Sequence, residues 1–556
     1  MKTIHVELEG KALKVPRDTT TLALVAERLD PSAGLQRPIG ALVDNRLVSL
    51  DTQLYDGASI RLVSITSDAG LEIYRRGAIL LLREAVRLLF PEVRLVVGQS
   101  LGDGTYFEWT GSPKLEAGFI DRIEQQMRQL VEQDVSFERE RLGVSEAIRR
   151  FNNRDMLDRV ALLQVFWHEN IRLVSLGGTI DVLHGPLPPA TGSLTDFRVE
   201  HYSPGLVLRL PTVHGSSSLA QPLSNQRKLF TIHRDTKDML HRLGLSNVGE
   251  LNHLCVHGGI NQLIRVSEGF HEKRIAEIAD NICRRNERAR LVLIAGPSSS
   301  GKTTFLKRLS VQLEVNGLKP VGLSIDNYYV DREDTPLDED GNYDFESIEA
   351  IDLELFNQHL VELLDGREVL TPRFNFNTGK RAAAEKWVPM KLGSRDILIV
   401  EGIHGLNDRL TSQVPAEAKF KIYVSALTQL CLDDTNRIHT SDARLLRRTV
   451  RDRLYRGYSA AETLRIWPLV QRGEQRNIFP FQESADEMFN SALPYETAVL
   501  KVYAERFLLE VPQDDPAYPE VHRLMKFLSL FVGIFPDAVP QNSILREFIG
   551  GSTFHY

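Results

Sequence analysis

The sequence predicts an α/β protein: a C-terminal domain with a parallel sheet and helices on both faces, preceded by a small β-rich domain and a second, α+β domain. Three observations carry this. Residues 291–295 (LVLIA) have no polar member, as in a strand buried on both faces, and lead straight into a glycine-rich turn and a helical pattern. Two further apolar runs, VGLSI at 321–325 and ILIV at 397–400, each end on a carboxylate, Asp326 and Glu401. At the other end of the chain Ile4 and Val6 alternate with Thr3, His5 and Glu7, the period of a half-buried strand.

In order from the N-terminus, the strand at 2–8 is followed by a turn, KALKVP, and a DTTT run whose oxygens suit the cap of a short helix, LALVAERL at 22–29. ALVDNRLVSL (41–50) and SIRLVSI (59–65) are read as two more strand-like segments. Residues 72–90 form an amphipathic helix with Ile79, Leu80, Ala85 and Leu88 apolar; residues 268–288 form another, with Ile275, Ile278, Ile282 and Cys283 along one stripe. The divisions expected are 1–66, 67–225, a helical connector at 226–288, 289–512, and a C-terminal extension at 513–556 packed on the preceding domain. His253, Cys255 and His257 alternate, which would put them on one strand face; no fourth ligand accompanies them.

Of the 556 residues, 42% are hydrophobic and 25% charged, a globular balance. The net charge of -7 gives no whole-molecule electrostatic case for nucleic acid. The three cysteines, Cys255, Cys283 and Cys431, form no Cys-x-x-Cys pair, and the longest apolar stretches are broken by Arg and Glu. A cytoplasmic protein with no membrane partner is expected.

Gly296-Pro297-Ser298-Ser299-Ser300-Gly301-Lys302-Thr303, with Thr304 next, fits G-x-x-x-x-G-K-[ST]. Glycines at both ends let the backbone turn so that successive N–H groups face one anion, and the following helix adds its positive end. Lys302 would reach the β- and γ-phosphates of a nucleoside triphosphate, and the Thr303 hydroxyl would ligate Mg²⁺. The carboxyl ends of parallel strands face the ligand crevice. Asp326 there would take a proton from a hydroxyl, hold Mg²⁺ through water, or merely open a turn; Glu401 would act at the metal shell.

The order phosphate loop, Asp strand, Glu strand resembles the uridine kinase and phosphoribulokinase family. The resemblance implies an ATP- and Mg²⁺-dependent kinase with Asp326 as general base toward a ribose 5′-hydroxyl. SIDNYY (324–329) is similar to the family segment that ends in an aromatic pair, which implicates Tyr329 at the substrate. NYDFESIEAID (342–352) puts the sugar-binding carboxylate on Asp344. In SDARLLRRTVRDRLYRG (441–457) Arg444, Arg448 and Arg451 lie near one helical face with Arg447 beside them, and such a helix serves the family as a lid. Arg448, Arg451 and Arg456 are the implied phosphate ligands. The pattern departs at Phe374 and Gly379, where a Tyr and a His are usual, and at Tyr458, where an Arg is expected. These positions surround the base, so uridine or cytidine is the first expectation and a pentose phosphate the alternative.

The front of the chain is similar to a TGS domain followed by the second additional domain of threonyl- and alanyl-tRNA synthetases, which edits mischarged tRNA. Its site histidines and cysteine fall on Arg76, Leu80, Leu183 and Leu187, and leucine neither ligates a metal nor moves a proton. Hydrolytic editing therefore fails on chemistry. RNA binding, regulation of an ATP-binding switch, or a platform for self-association remain the roles open to this half, with His184 read as a packing residue.

Overall fold

The computed structural model describes residues 3–26, 37–213, 217–220, 222–223, 226–285, 289–337, 341, 343–375 and 378–555. Residue 2 and the ends of two expected helices, 27–29 and 286–288, lie outside them.

The C-terminal sheet has five parallel strands in the order Lys319–Ser324, Asp396–Glu401, Leu291–Ala295, Lys419–Ser425, Glu487–Asn490. Every residue of the central strand is buried. Because strand side chains alternate, Val292 and Ile294 join one core and Leu291 and Leu293 the other. The first core is closed by Ile275 and Ile278 of the helix Ile260–Arg285, Phe305 and Leu309 of Lys302–Val315, and Leu445 and Val450 of Thr440–Tyr455. Phe356, Leu360 and Leu363 of the helix Leu353–Leu364 close the second. The predicted fold class is thus observed, with helices on both faces of a parallel sheet. Since all five strands run the same way, Gly296, Asp326 and Glu401 emerge at one edge of the sheet.

Ahead of this lies a mixed sheet in the order Lys11–Pro16, Thr3–Leu8, Ser59–Ser64, Pro38–Val43, Arg46–Val48, with Thr3–Leu8 parallel to Ser59–Ser64. Residues 41–50 are not one strand. Asp44 and Asn45 have φ of 47° and 57° and turn the chain between Pro38–Val43 and Arg46–Val48, as a tight hairpin requires. The 22-residue helix Asp68–Leu89, capped by Ser67 accepting from the Gly70 N–H, buries Ile73, Ala78, Leu81 and Ala85 in a core that also takes residues from two antiparallel sheets of three and four strands.

The region 226–285 is three helices, Arg227–Arg242, Val248–His257 and Ile260–Arg285. His253, Cys255 and His257 therefore sit on a helix, not a strand. A capping box between Asn247 and Glu250 starts it, and the two histidine rings, one turn apart, lie 4.4 Å from each other without the cysteine on their face. The C-terminal helix Tyr518–Leu528 anchors to the preceding domain through Arg523, which grips Asp442 at 2.7 and 2.8 Å. Among the described residues no helix is long and apolar enough to cross a membrane.

Candidate active site

The glycine-rich turn makes a tight nest. Ser299 (φ 57°) and Gly301 (φ 82°) are left-handed, and a Cβ on Gly296 would come within 1.9 Å of the Val424 carbonyl oxygen. Gly301 caps the helix Lys302–Val315, so the first-turn amides of that helix point into the nest. Two buried hydroxyls, Ser299 Oγ and Ser300 Oγ, have no hydrogen-bond partner among the described residues, as expected of a cradle shaped for an oxyanion.

Around this nest the structure gathers most of the expected side chains. Lys302 Nζ donates to the Pro297 carbonyl at 3.2 Å. Burial lowers its pKa, while the nearby carboxylates of Glu401, Glu547 and Glu474 oppose that fall. The Thr303 hydroxyl lies 3.4 Å from Glu401 Oε1. Burial raises the Glu401 carboxyl, with Lys302 pulling the other way. Asp326 stands just past the strand Lys319–Ser324, open to the cleft; crowding by surrounding protein raises its carboxyl and Lys302 again opposes. Thr303, Glu401 and Asp326 offer hard oxygen donors around one lysine, a donor set that fits Mg²⁺ with several waters retained.

The arginines divide. Arg448 Nη1 donates to Ser298 Oγ at 2.8 Å and faces the loop. Arg451 instead donates twice to Asp452 Oδ1, at 3.0 and 2.9 Å, and Arg456 lies 3.7 Å from the same carboxylate. The helix Thr440–Tyr455 is packed into the core and does not stand free as a lid would, with Arg444 and Arg447 buried. Arg444 Nε donates to the Ser298 carbonyl at 2.9 Å, and Arg447 Nη1 approaches the Ser299 carbonyl at 3.4 Å. These two clamp the loop from below.

Asp344 occupies a turn, its Oδ1 accepting from the Glu346 N–H at 3.1 Å. Its neighbour Glu346 faces the loop more directly. Crowding raises the Glu346 carboxyl, Glu474 and Asp344 add to the rise, and Arg448 and Lys302 oppose it. Tyr329 and Phe374 meet at a tilt of 54° with their ring centroids 5.7 Å apart, the Phe374 N–H lying 3.3 Å from Asn327 Oδ1. Gly379 (φ 66°) packs against Arg332, and Tyr458 is exposed beyond the arginine helix.

Three carboxylates at this site escape the sequence. Glu474 Oε1 accepts from the Ser298 N–H at 2.8 Å and pairs closely with Arg444. Glu547, near the C-terminus, accepts from the Thr304 N–H at 3.1 Å and its hydroxyl at 2.8 Å. Glu496 holds Arg447 from behind. None carries a local signal, since each meets its partner only across tens to hundreds of residues.

The family model of the Phosphoribulokinase / Uridine kinase family matches residues 291–497, the segment that contains the nest, Asp326, Glu401 and the arginine helix. Curated relatives match a different part. A threonine–tRNA ligase of Ehrlichia ruminantium is 29% identical over 170 residues, 30% of this chain and 27% of that protein. One of Citrifermentans bemidjiense is 29% identical over 201 residues, 36% of this chain and 31% of that protein. The chain thus spans about a third or less of the length of these relatives. Among solved structures, one described as a possible uridine kinase from Bacillus stearothermophilus covers 38% of this chain and 98% of its own, at 16% identity and a TM-score of 0.25. Residues 291–497 form a Phosphoribulokinase / Uridine kinase family domain, on a chain whose N-terminal region is similar to threonine–tRNA ligases.

Proposed function

We propose that this chain transfers the γ-phosphoryl group of ATP to the 5′-hydroxyl of a nucleoside, with uridine or cytidine the first acceptors to test. The observation that carries the reading is the convergence of Lys302, Thr303, Glu401 and Asp326 on one phosphate nest. In this reading the backbone of 296–304 and Lys302 bind the triphosphate, and Ser299 and Ser300 supply the two unengaged hydroxyls. Thr303 and Glu401, with Asp326 through water, would hold Mg²⁺, which when bound supplies charge neutralisation to the phosphates. Asp326 accepts the proton of the attacking hydroxyl, while Lys302 and Arg448 stabilise charge on the transferring group. Asp344 and Glu346 flank the approach and suit the hydroxyls of a sugar.

ADP release over a panel of nucleosides and pentose phosphates tests this. Asp326→Asn is expected to lower kcat by about 10²- to 10⁴-fold, the usual contribution of a general base, with ATP affinity little changed. Equal loss of ATP binding would make Asp326 a binding group and not the base.

A pentose phosphate is the second reading, favoured by the Tyr329–Phe374 pair and by Gly379. Aromatic and backbone surfaces there offer little polar discrimination of a base.

Glu547 sits where a triphosphate needs the amide of Thr304. Glu547→Gln removes a negative charge from that helix end, so ATP is expected to bind about 3- to 10-fold more tightly by fluorescence titration. Weaker binding in that variant would mean that the carboxylate props the nest open and does not compete for it.

A further inference from the structure

A cavity of about 220 Å³ lies away from the phosphate nest, where three parts of the chain meet. The helix Asp68–Leu89 supplies Glu72, Arg75 and Arg76, the segment leading into the arginine helix supplies Arg437 and His439, and the helix Tyr518–Leu528 supplies Arg523 and Lys526. Arg76 and Leu183 in its wall are among the positions at which the synthetase-like editing pattern is lost.

Its charges do not balance. Five cationic side chains and two carboxylates line it. Asp442 is fully engaged by Arg523, at 2.7 and 2.8 Å. Glu72 pairs closely with Arg75 and reaches Arg76 only at 3.8 Å. Arg437 donates to the Ser100 hydroxyl at 2.7 Å, and among the described residues neither Arg437 nor Lys526 has a carboxylate within ion-pair distance. Burial pushes Arg437 down to about 10, with Arg75 adding to the fall. Burial and then Arg172, Arg46 and Arg76 lower Lys526, with no acid opposing them. His439 is held down to about 4 by burial, so it adds no charge at neutral pH. Confined like charges repel strongly, and the two carboxylates of the wall offset the five cations only in part.

We propose that this cavity is a second anion site, built for the phosphoryl group of a small phosphorylated metabolite or for free phosphate. Guanidinium forks with an adjacent ammonium match phosphate oxygens, and the volume falls below that of typical drug-sized pockets, so a phosphoryl head group fits and a bulky ligand does not. A bound anion would join the front helix, the C-terminal helix and the entry to the arginine helix through one set of charges.

The test is equilibrium binding of labelled inorganic phosphate, pyrophosphate and ribose 5-phosphate to the full chain. Lys302→Ala serves to silence the phosphate nest, so the outcome does not depend on the kinase reading. One site is expected to persist in Lys302→Ala, to weaken about tenfold or more in Lys526→Gln and in Arg437→Gln, and to survive in Lys526→Arg. Preference among the three ligands tells free phosphate from an esterified metabolite. Loss of all phosphate binding in Lys302→Ala would overturn the proposal. So would binding unaffected by Lys526→Gln and Arg437→Gln, or binding of tRNA with none of the three small anions. Circular dichroism separates a folding failure of Arg437→Gln from a binding one, and the Lys526 pair then decides.

Discussion

Lys302→Met is expected to lower kcat/KM for phosphoryl transfer by on the order of 10³-fold, read by coupled ADP release. The reason is positional and electrostatic together. The ammonium is held over the nest by the Pro297 carbonyl, and it lies within reach of Glu401, Glu547 and Glu474 at once. Removing it takes away the charge that would follow the γ-phosphoryl group and leaves three carboxylates facing an incoming triphosphate. Affinity for ATP should therefore fall along with kcat. A variant with near-native turnover would mean that the loop binds phosphate without taking part in its transfer.

The second large effect is on stability. Arg447 is fully buried, pairs closely with Glu496, donates to the Ser491 carbonyl at 2.8 Å, and lies 5.0 Å over the Phe548 ring. Arg447→Met leaves Glu496 buried without its cation, which costs about 3–5 kcal/mol. Hydrogen exchange of the amides in Thr440–Tyr455 reads this locally, without assuming that so long a chain unfolds in one step. Protection there should fall by several orders of magnitude. Adding Glu496→Leu should recover a large part of the loss, because an apolar pair no longer buries a lone charge. If the single variant exchanges like the parent, the buried pair is not what holds the helix against the loop.

Much of the C-terminal fold was legible because its signals are local. A fully apolar run ending on a glycine nest, and two apolar runs ending on carboxylates, each occupy fewer than ten residues, and parallel packing then brings their ends to one edge of the sheet. Where local readings failed, a competing local signal was present. Asp44-Asn45 is a hairpin turn signal inside what was read as one strand, and Asn247-x-x-Glu250 is a helix start ahead of residues read as alternating. Glu474, Glu496 and Glu547 are a different matter. Each is an ordinary polar residue on its own helix, and its role comes from a partner brought near only by the tertiary fold. The arginine helix shows the same limit. Its spacing grouped Arg444, Arg448 and Arg451, but packing decides that Arg444 and Arg448 meet the loop while Arg451 turns to Asp452.

The most direct test of the central claim is to incubate the full chain with ATP, Mg²⁺ and the acceptor panel, following ADP and the mass of each acceptor. The expected result is ADP formation that depends on one ribose-like alcohol, a phosphorylated form of that alcohol in equal amount, and loss of both in Asp326→Asn. ATP hydrolysis without any phosphorylated acceptor, or turnover undiminished in Asp326→Asn, would contradict it.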